Sequence, residues 1–296
     1  MIKAIFFKYK VLIILFVGIL SISSASILIK ICAAPALVIA FYRMTIASLF
    51  YWGTTAAKRS GLKLTRKDFK FTMLSGAFLA FHFATWISSL NYTSVASSVV
   101  LVQTSPIFVA LGSHLFLKER LSLKCGVGVV IAIAGGIIIG KYDTSQNASA
   151  FTGNLLALFG AIGASGYFLV GRHIRKTMDT FKYVTLVYTS AAVFLFLLVL
   201  IQNPLQFFCY DLSVYLLLLA IGLVPQVVGH TSLNWALKYF SATAVAIFTL
   251  GESVCASLMA WVLLNETLPF YKIFGGVILL TGVFIVLIAE TLQNRQ

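Results

Sequence analysis

Residues 240–268 read FSATAVAIFTLGESVCASLMAWVLLNETL. The part up to Leu264 is long enough to cross a bilayer, which takes about 20 mostly apolar residues. One acid, Glu252, lies near its middle, and the turn that follows carries Glu266. A second copy occupies residues 93–121, TSVASSVVLVQTSPIFVALGSHLFLKERL. Laying Ser94 on Ser241 also brings Leu111 onto Leu258, Leu117 onto Leu264 and Glu119 onto Glu266. Past the turn the same shift places Gly128 on Gly275, Val130 on Val277, Ile131 on Ile278 and Gly135 on Gly282. An apolar chain with such a duplication is built from two like units.

The composition decides the solvent. Of 296 residues, 60% are hydrophobic and 10% charged, and the mean hydropathy is +1.00. A soluble domain needs more polar surface, so the lipid bilayer is the expected surrounding. A formal charge of +14 would suit nucleic acid, but the basic residues sit in short gaps between apolar runs, as in the loops of a membrane protein. No nucleic-acid partner is expected. Cys32, Cys125, Cys209 and Cys255 have neither zinc-ligand nor disulfide-framework spacing. No metal and no cofactor are expected.

Ten runs have spanning length: 11–30, 36–57, 70–91, 95–117, 124–140, 153–171, 183–201, 213–236, 240–264 and 271–289. They are read as helices, because a lipid-exposed open sheet leaves its backbone hydrogen bonds unmade. The first run follows Lys3, Lys8 and Lys10 like a signal peptide, but more spans follow it, so it is read as an uncleaved helix. With the N-terminus inside, eighteen of the 22 Lys and Arg fall on the cytoplasmic side; Lys30, Lys141, Lys272 and Arg43 are the exceptions. The positive-inside rule then places both termini in the cytoplasm. Five helices per half is an odd number, so the second copy enters the membrane upside down. The expected fold is an all-α polytopic membrane protein, ten transmembrane helices as two inverted five-helix repeats. The repeats are residues 1–146 and 147–296, joined by the polar link 141–150. The triplets at Asn91, Asn147 and Asn265 match the glycosylation pattern no better than chance does.

Inverted repeats place a site at their interface near the midplane, where ionisable groups are costly and point to function. Glu252 lies about twelve residues into its run, close to mid-bilayer. It is the proton-coupling candidate, or a partner for a cationic group of the substrate; the alternative is a carboxyl group that ties two helices together. His82 with Trp86, and His230 with Asn234, are spaced by four, which puts each pair on one helix face. Either pair could grip an organic molecule with an apolar body and polar handles, or could join helices by hydrogen bonds. Arg43 sits roughly 10 Å inside its helix end; it could bind a carboxylate, and it is expected to snorkel toward the headgroups. Gln103 stands just before Pro106, which frees a backbone carbonyl and bends the helix. Gly126, Gly128, Gly135, Gly136, Gly140, Gly275, Gly276 and Gly282 are read as close helix contacts, with Gly136-x-x-x-Gly140 a bare small-residue pattern.

Several segments then resemble a known family: PheLeuLysGluArg at Glu119, LeuLeuAsnGluThr at Glu266, AlaPheTyrArgMetThrIleAla at Arg43, TyrThrSerValAlaSerSer from Tyr92, and GlyHisThrSerLeuAsnTrpAla at His230. Over nearly the whole chain they resemble EamA-like transporters of the drug/metabolite transporter superfamily. The resemblance implies export or exchange of small metabolites, amino-acid-like or drug-like, across a bacterial cytoplasmic membrane. It implies no catalysis. In that family a proline usually follows the position of Glu252; here Ser253 stands there, which questions a bend. The substrate-binding candidates are Arg43, His82, Trp86, Gln103, His230, Asn234 and Glu252. A passive channel would need a continuous polar stripe, and a membrane enzyme a cluster of catalytic side chains at one face. Cargo identity and oligomeric state have no signal in the sequence.

Overall fold

The computed structural model describes residues 2–57, 64–117, 122–174, 178–236 and 242–293. Glu119, in the turn of the first copy, lies outside them. The helices are α1 (Ile2–Ile31), α2 (Ala36–Ala57), α3 (Arg66–Ser89), α4 (Val95–Val102), α5 (Ser105–Leu117), α6 (Leu123–Gln146), α7 (Ala150–Ile174), α8 (Thr180–Gln202), α9 (Leu212–Ile221), α10 (Thr231–Ala236), α11 (Ala242–Leu264) and α12 (Phe270–Gln293). A π-helical segment, Gly222–His230, joins α9 to α10. Thus α4 with α5 forms the fourth span, and α9 with the π segment and α10 forms the eighth.

Nine spans among the described residues are long and apolar enough to cross a membrane, and α11 supplies a tenth helix of 23 residues. The chain is an integral, multi-pass, all-helical membrane protein. Its outer walls follow from helix geometry. On α6, Val127, Val130, Ile133 and Ile137 recur every three or four residues and are exposed, while Ala132 and Ile139 on the other side are buried. In a bilayer that exposed stripe faces acyl chains.

Much of the helix packing follows an exchange rule. The sixth span pairs with the third, and the first with the eighth; the fourth touches the sixth, and the first the ninth. Likewise the third meets the seventh, and the second meets the eighth. Spans two and seven, four and nine, and five and ten pack on each other directly. Swapping each span for its counterpart five places on leaves these contacts in place, as a two-fold relation requires, while others, such as α2 on α3 and α4–α5 on α12, have no comparable counterpart among the described residues.

The axis runs between α6 and α12, where backbones touch. A Cβ on Gly135 would lie 2.6 Å from the Gly275 carbonyl and 2.8 Å from Leu279 Cα. A Cβ on Gly282 would lie 2.6 Å from the Gly128 carbonyl and 2.8 Å from Ala132 Cα. Each contact is the other's image under the shift that relates the copies. Other glycines do not fit the close-contact reading. Positions 126 and 140 would place a side chain in open space, and 136 and 276 are at ordinary contact distance, so Gly136-x-x-x-Gly140 is not a packing seam.

Two irregularities interrupt the spans. Pro106 lacks an N–H, so the helix breaks at Gln103–Thr104 between α4 and α5. Ser165 Oγ of α7 lies 2.8 Å from the Ser105 carbonyl at the bend and 2.6 Å from the Ala161 carbonyl of its own helix. In the second repeat α11 passes through Ser253 without interruption. The irregularity there is instead in span eight, where Pro225 would clash with the Ile221 carbonyl in an α-helix and the wider π turn makes room. Two boundaries differ most from expectation. Helix α1 begins at Ile2, and α6 continues through Lys141 to Gln146, so the link between halves shrinks to residues 147–149. Polar residues extend α6 because its end is tied down by the contacts of Asp143 described below.

Candidate functional site

Helix α7 presents Gly153, Gly160, Gly163 and Gly166 to its neighbours, and α3 lies along the last three. A Cβ on Gly163 would sit 2.8 Å from the His82 nitrogen, and one on Gly160 3.1 Å from Trp86 Cβ. This close approach lets His82 Nδ1 reach the Gly160 carbonyl at 2.8 Å. A carbonyl only accepts, so Nδ1 carries the hydrogen and Nε2 is left to other partners. His82 and Trp86 share one helix face, as their spacing of four predicts, with their rings parallel within 2° at 6.0 Å.

Arg43 does not snorkel. Its side chain is fully buried, and Nε donates to Gln226 Oε1 at 2.8 Å. The guanidinium carbon lies 4.2 Å from the centre of the Phe83 ring and 5.7 Å from Trp86. An amide acceptor from span eight and two aromatic faces from α3 offer inside the bundle what headgroups would offer outside. His230, the last residue of the π segment, meets Phe83 edge-on at 6.1 Å. Tyr188 of α8 is within electrostatic range of Arg43.

A second group lies where α4 meets α11. Gln103, the residue at which α4 ends, donates Nε2–H to Glu252 Oε2 at 2.8 Å, and both residues are buried. Ser23 Oγ of α1 donates to the Ile19 carbonyl at 2.8 Å and lies 3.5 Å from the Glu252 backbone carbonyl. Glu252 is near enough to act on the charge of Arg43, but the two form no ion pair. The side chain of Asn234 lies outside the described residues.

Of the candidate residues, Arg43, His82, Trp86 and His230 are therefore gathered around Phe83, and Gln103 joins Glu252. The sequence reading missed Gln226, Phe83 and Tyr188. Gln226 had a usable signal: an uncharged amide beside a proline in the middle of a span. A search confined to ionisable groups passes over it.

The end of the bundle that carries loop 265–269 is closed by charge. Asn265, with φ of 54°, ends α11 in the left-handed conformation, and Glu266 N–H bonds back to the Ala260 carbonyl at 3.2 Å. The Glu266 carboxylate then accepts the Val95 N–H at 2.9 Å, at the start of α4. Lys30 lies 3.8 Å from it. Asp143 is paired with Lys272 at 2.8 Å and also accepts from Asn154 at 3.1 Å, while Lys272 donates to Ser94 Oγ at 2.8 Å. Two of the basic exceptions to the charge rule are thus neutralised by acids at their own end of the bundle.

Comparison with known proteins decides the family. Residues 9–141 and 151–288 each match the EamA-like transporter family. The chain belongs to that family. The transporter is 25% identical over 252 residues to the pseudopaline exporter CntI of Pseudomonas aeruginosa, covering 84% of each chain. It is 25% identical to an uncharacterized transporter of Archaeoglobus fulgidus, covering 83% of this chain and 86% of that one. It is 24% identical to the uncharacterized transporter YdfC of Bacillus subtilis, covering 77% and 74%. A solved crystal structure with 18% identity superposes on the transporter with a TM-score of 0.65, covering 96% of this chain and 99% of the other. That likeness concerns the fold.

Proposed function

We propose that this transporter is a carrier that exports or exchanges small organic metabolites, amino-acid-like or drug-like, by alternating access of its two inverted repeats. The observation that carries the reading is the polar set inside the bundle, buried except for the half-buried His82 and His230. Arg43, His82, Trp86 and Gln103 come from the first repeat, and Gln226, His230 and Glu252 from the second. A site shared by inverted repeats changes its exposure when one repeat rocks against the other. Similarity to a pseudopaline exporter supports the outward direction. In liposomes containing the purified protein, flux that saturates with substrate supports a carrier. Flux linear in concentration would favour a channel.

The proposed location is a bacterial cytoplasmic membrane, with both termini inside and the Glu266 end outside. Cys209, exposed in loop 203–211 at that end, tests this orientation. A membrane-impermeant maleimide is expected to label intact cells, and Cys209→Ser to remove the signal. Labelling only after permeabilisation would reverse the topology.

Proton coupling through Glu252 is a separate part of the proposal. Glu252→Gln keeps the shape and the bond to Gln103 but has no titrating group. It is expected to lower accumulation driven by a pH gradient at least tenfold while exchange at equal pH continues. Wild-type pH dependence in this variant would remove the proton role.

A further inference from the structure

We propose that the molecule carried bears a carboxylate, and that Arg43 receives it; this deepens the carrier reading above and rests on it. Four buried polar atoms in this region have no hydrogen-bond partner among the described residues: Arg43 Nη1 and Nη2, Trp86 Nε1 and Tyr188 OH. The first three can only donate, so they cannot satisfy one another. Tyr188 OH and the bare Nε2 of His82 can accept, but neither bonds to the Arg43 Nη atoms. Gln226 Oε1 takes the Arg43 Nε–H, and Glu252 is held by Gln103 and forms no ion pair with Arg43. A desolvated guanidinium edge without an acceptor is strongly unfavourable, and an anion arriving there removes the deficit.

The geometry also selects the anion's shape. With Nε committed to Gln226, the free edge of the guanidinium is the one formed by Nη1 and Nη2. Two parallel N–H groups on a planar fork match both oxygens of a carboxylate. Phe83 lies against the guanidinium carbon at 4.2 Å, so one face of the plane is covered and the ligand approaches along the free edge. Trp86, beside it, offers a ring wall for the apolar part of the molecule and a further donor. An amine without a carboxylate would meet donors and a positive charge, whereas a zwitterion can turn its cationic end toward Glu252. A hydroxyl offers a single oxygen in place of two. The class that fits is a carboxylate with an apolar or zwitterionic body.

The test uses full-length protein in liposomes loaded with an equimolar mixture of the common amino acids, di- and tricarboxylic acids, polyamines, nucleosides and hexoses. Efflux is followed by mass spectrometry against protein-free liposomes. The compounds released by the protein are expected to carry a carboxylate in every case. Arg43→Lys, which keeps the charge but loses the fork, should slow their release at least tenfold. Polyamines, nucleosides or hexoses released as fast as the acids would overturn the proposal, as would wild-type release by a monodisperse Arg43→Lys protein. The selectivity of the unmodified protein tests the proposal even if the variant does not fold. Release of nothing from the mixture overturns the carrier reading, and the proposal with it.

Discussion

Gly135→Ala is expected to cost about 3 kcal/mol or more, at or above the upper end of the ~1–3 kcal/mol usual when a methylene is forced into a packed core. The added carbon would meet the Gly275 carbonyl at 2.6 Å and Leu279 Cα at 2.8 Å. Those are backbone atoms of α12 and cannot turn aside as a side-chain tip does. The helices must separate, and α6 against α12 is the contact on the two-fold axis. Gly282→Ala should behave alike, because it repeats the contact with the roles of the helices exchanged. Gly126→Ala supplies the control. Its side chain enters open space, so it should be neutral or gain up to ~1 kcal/mol from helix propensity. Thermal unfolding in detergent, with the monodisperse yield from size exclusion, ranks the three variants. Equal midpoints for Gly135→Ala and Gly126→Ala would show that the helices do not pack backbone to backbone.

The second large effect is expected at Asp143→Asn. Asp143 and Lys272 are 2.8 Å apart, with side chains only 4% and 10% exposed. Removing one member of a buried pair leaves the other charge without its counterion and costs roughly 3–5 kcal/mol. The neighbouring Lys30–Glu266 pair is 3.8 Å apart and 28% and 17% exposed. Its looser geometry and better hydration put Lys30→Met at about 0–1 kcal/mol. The order of the two midpoints is the decisive reading. A cycle with Lys272→Met and the double variant isolates the coupling, since the double variant buries no lone charge. A loss for Asp143→Asn no greater than for Lys30→Met would mean that the Asp143–Lys272 pair is not formed.

Much of this architecture is written in local sequence. Apolar length marks the spans, the repeat of residues 93–121 in 240–268 marks the duplication, and an odd number of spans per half inverts it. Pro106 announces the break beside Gln103. The depth of Glu252 follows from counting along one run. What stayed hidden depends on which helices become neighbours. Arg43 would snorkel from an isolated helix. It turns inward because α3 brings Phe83 and span eight brings Gln226, partners far away in sequence. Lys272 looked like a stray charge for the same reason, because its counterion lies in the other repeat. The family match over both halves fixes the class of protein, while the roles of the buried polar residues rest on their geometry.

Span eight can be compared with a crystal that contains a dislocation. Between Gly222 and His230 the chain takes wider turns than an α-helix, so every side chain in that interval is out of phase with a regular winding. Gln226 occupies the fault and faces Arg43; just beyond it, Thr231 is hydrogen-bonded to Tyr51 of α2. Rewinding the segment to regular pitch would swing these groups by a large fraction of a turn, at about 100° per residue of phase. The defect therefore sets the phase of span eight against α2, and the grip on Arg43 lasts only as long as the defect stays where it is.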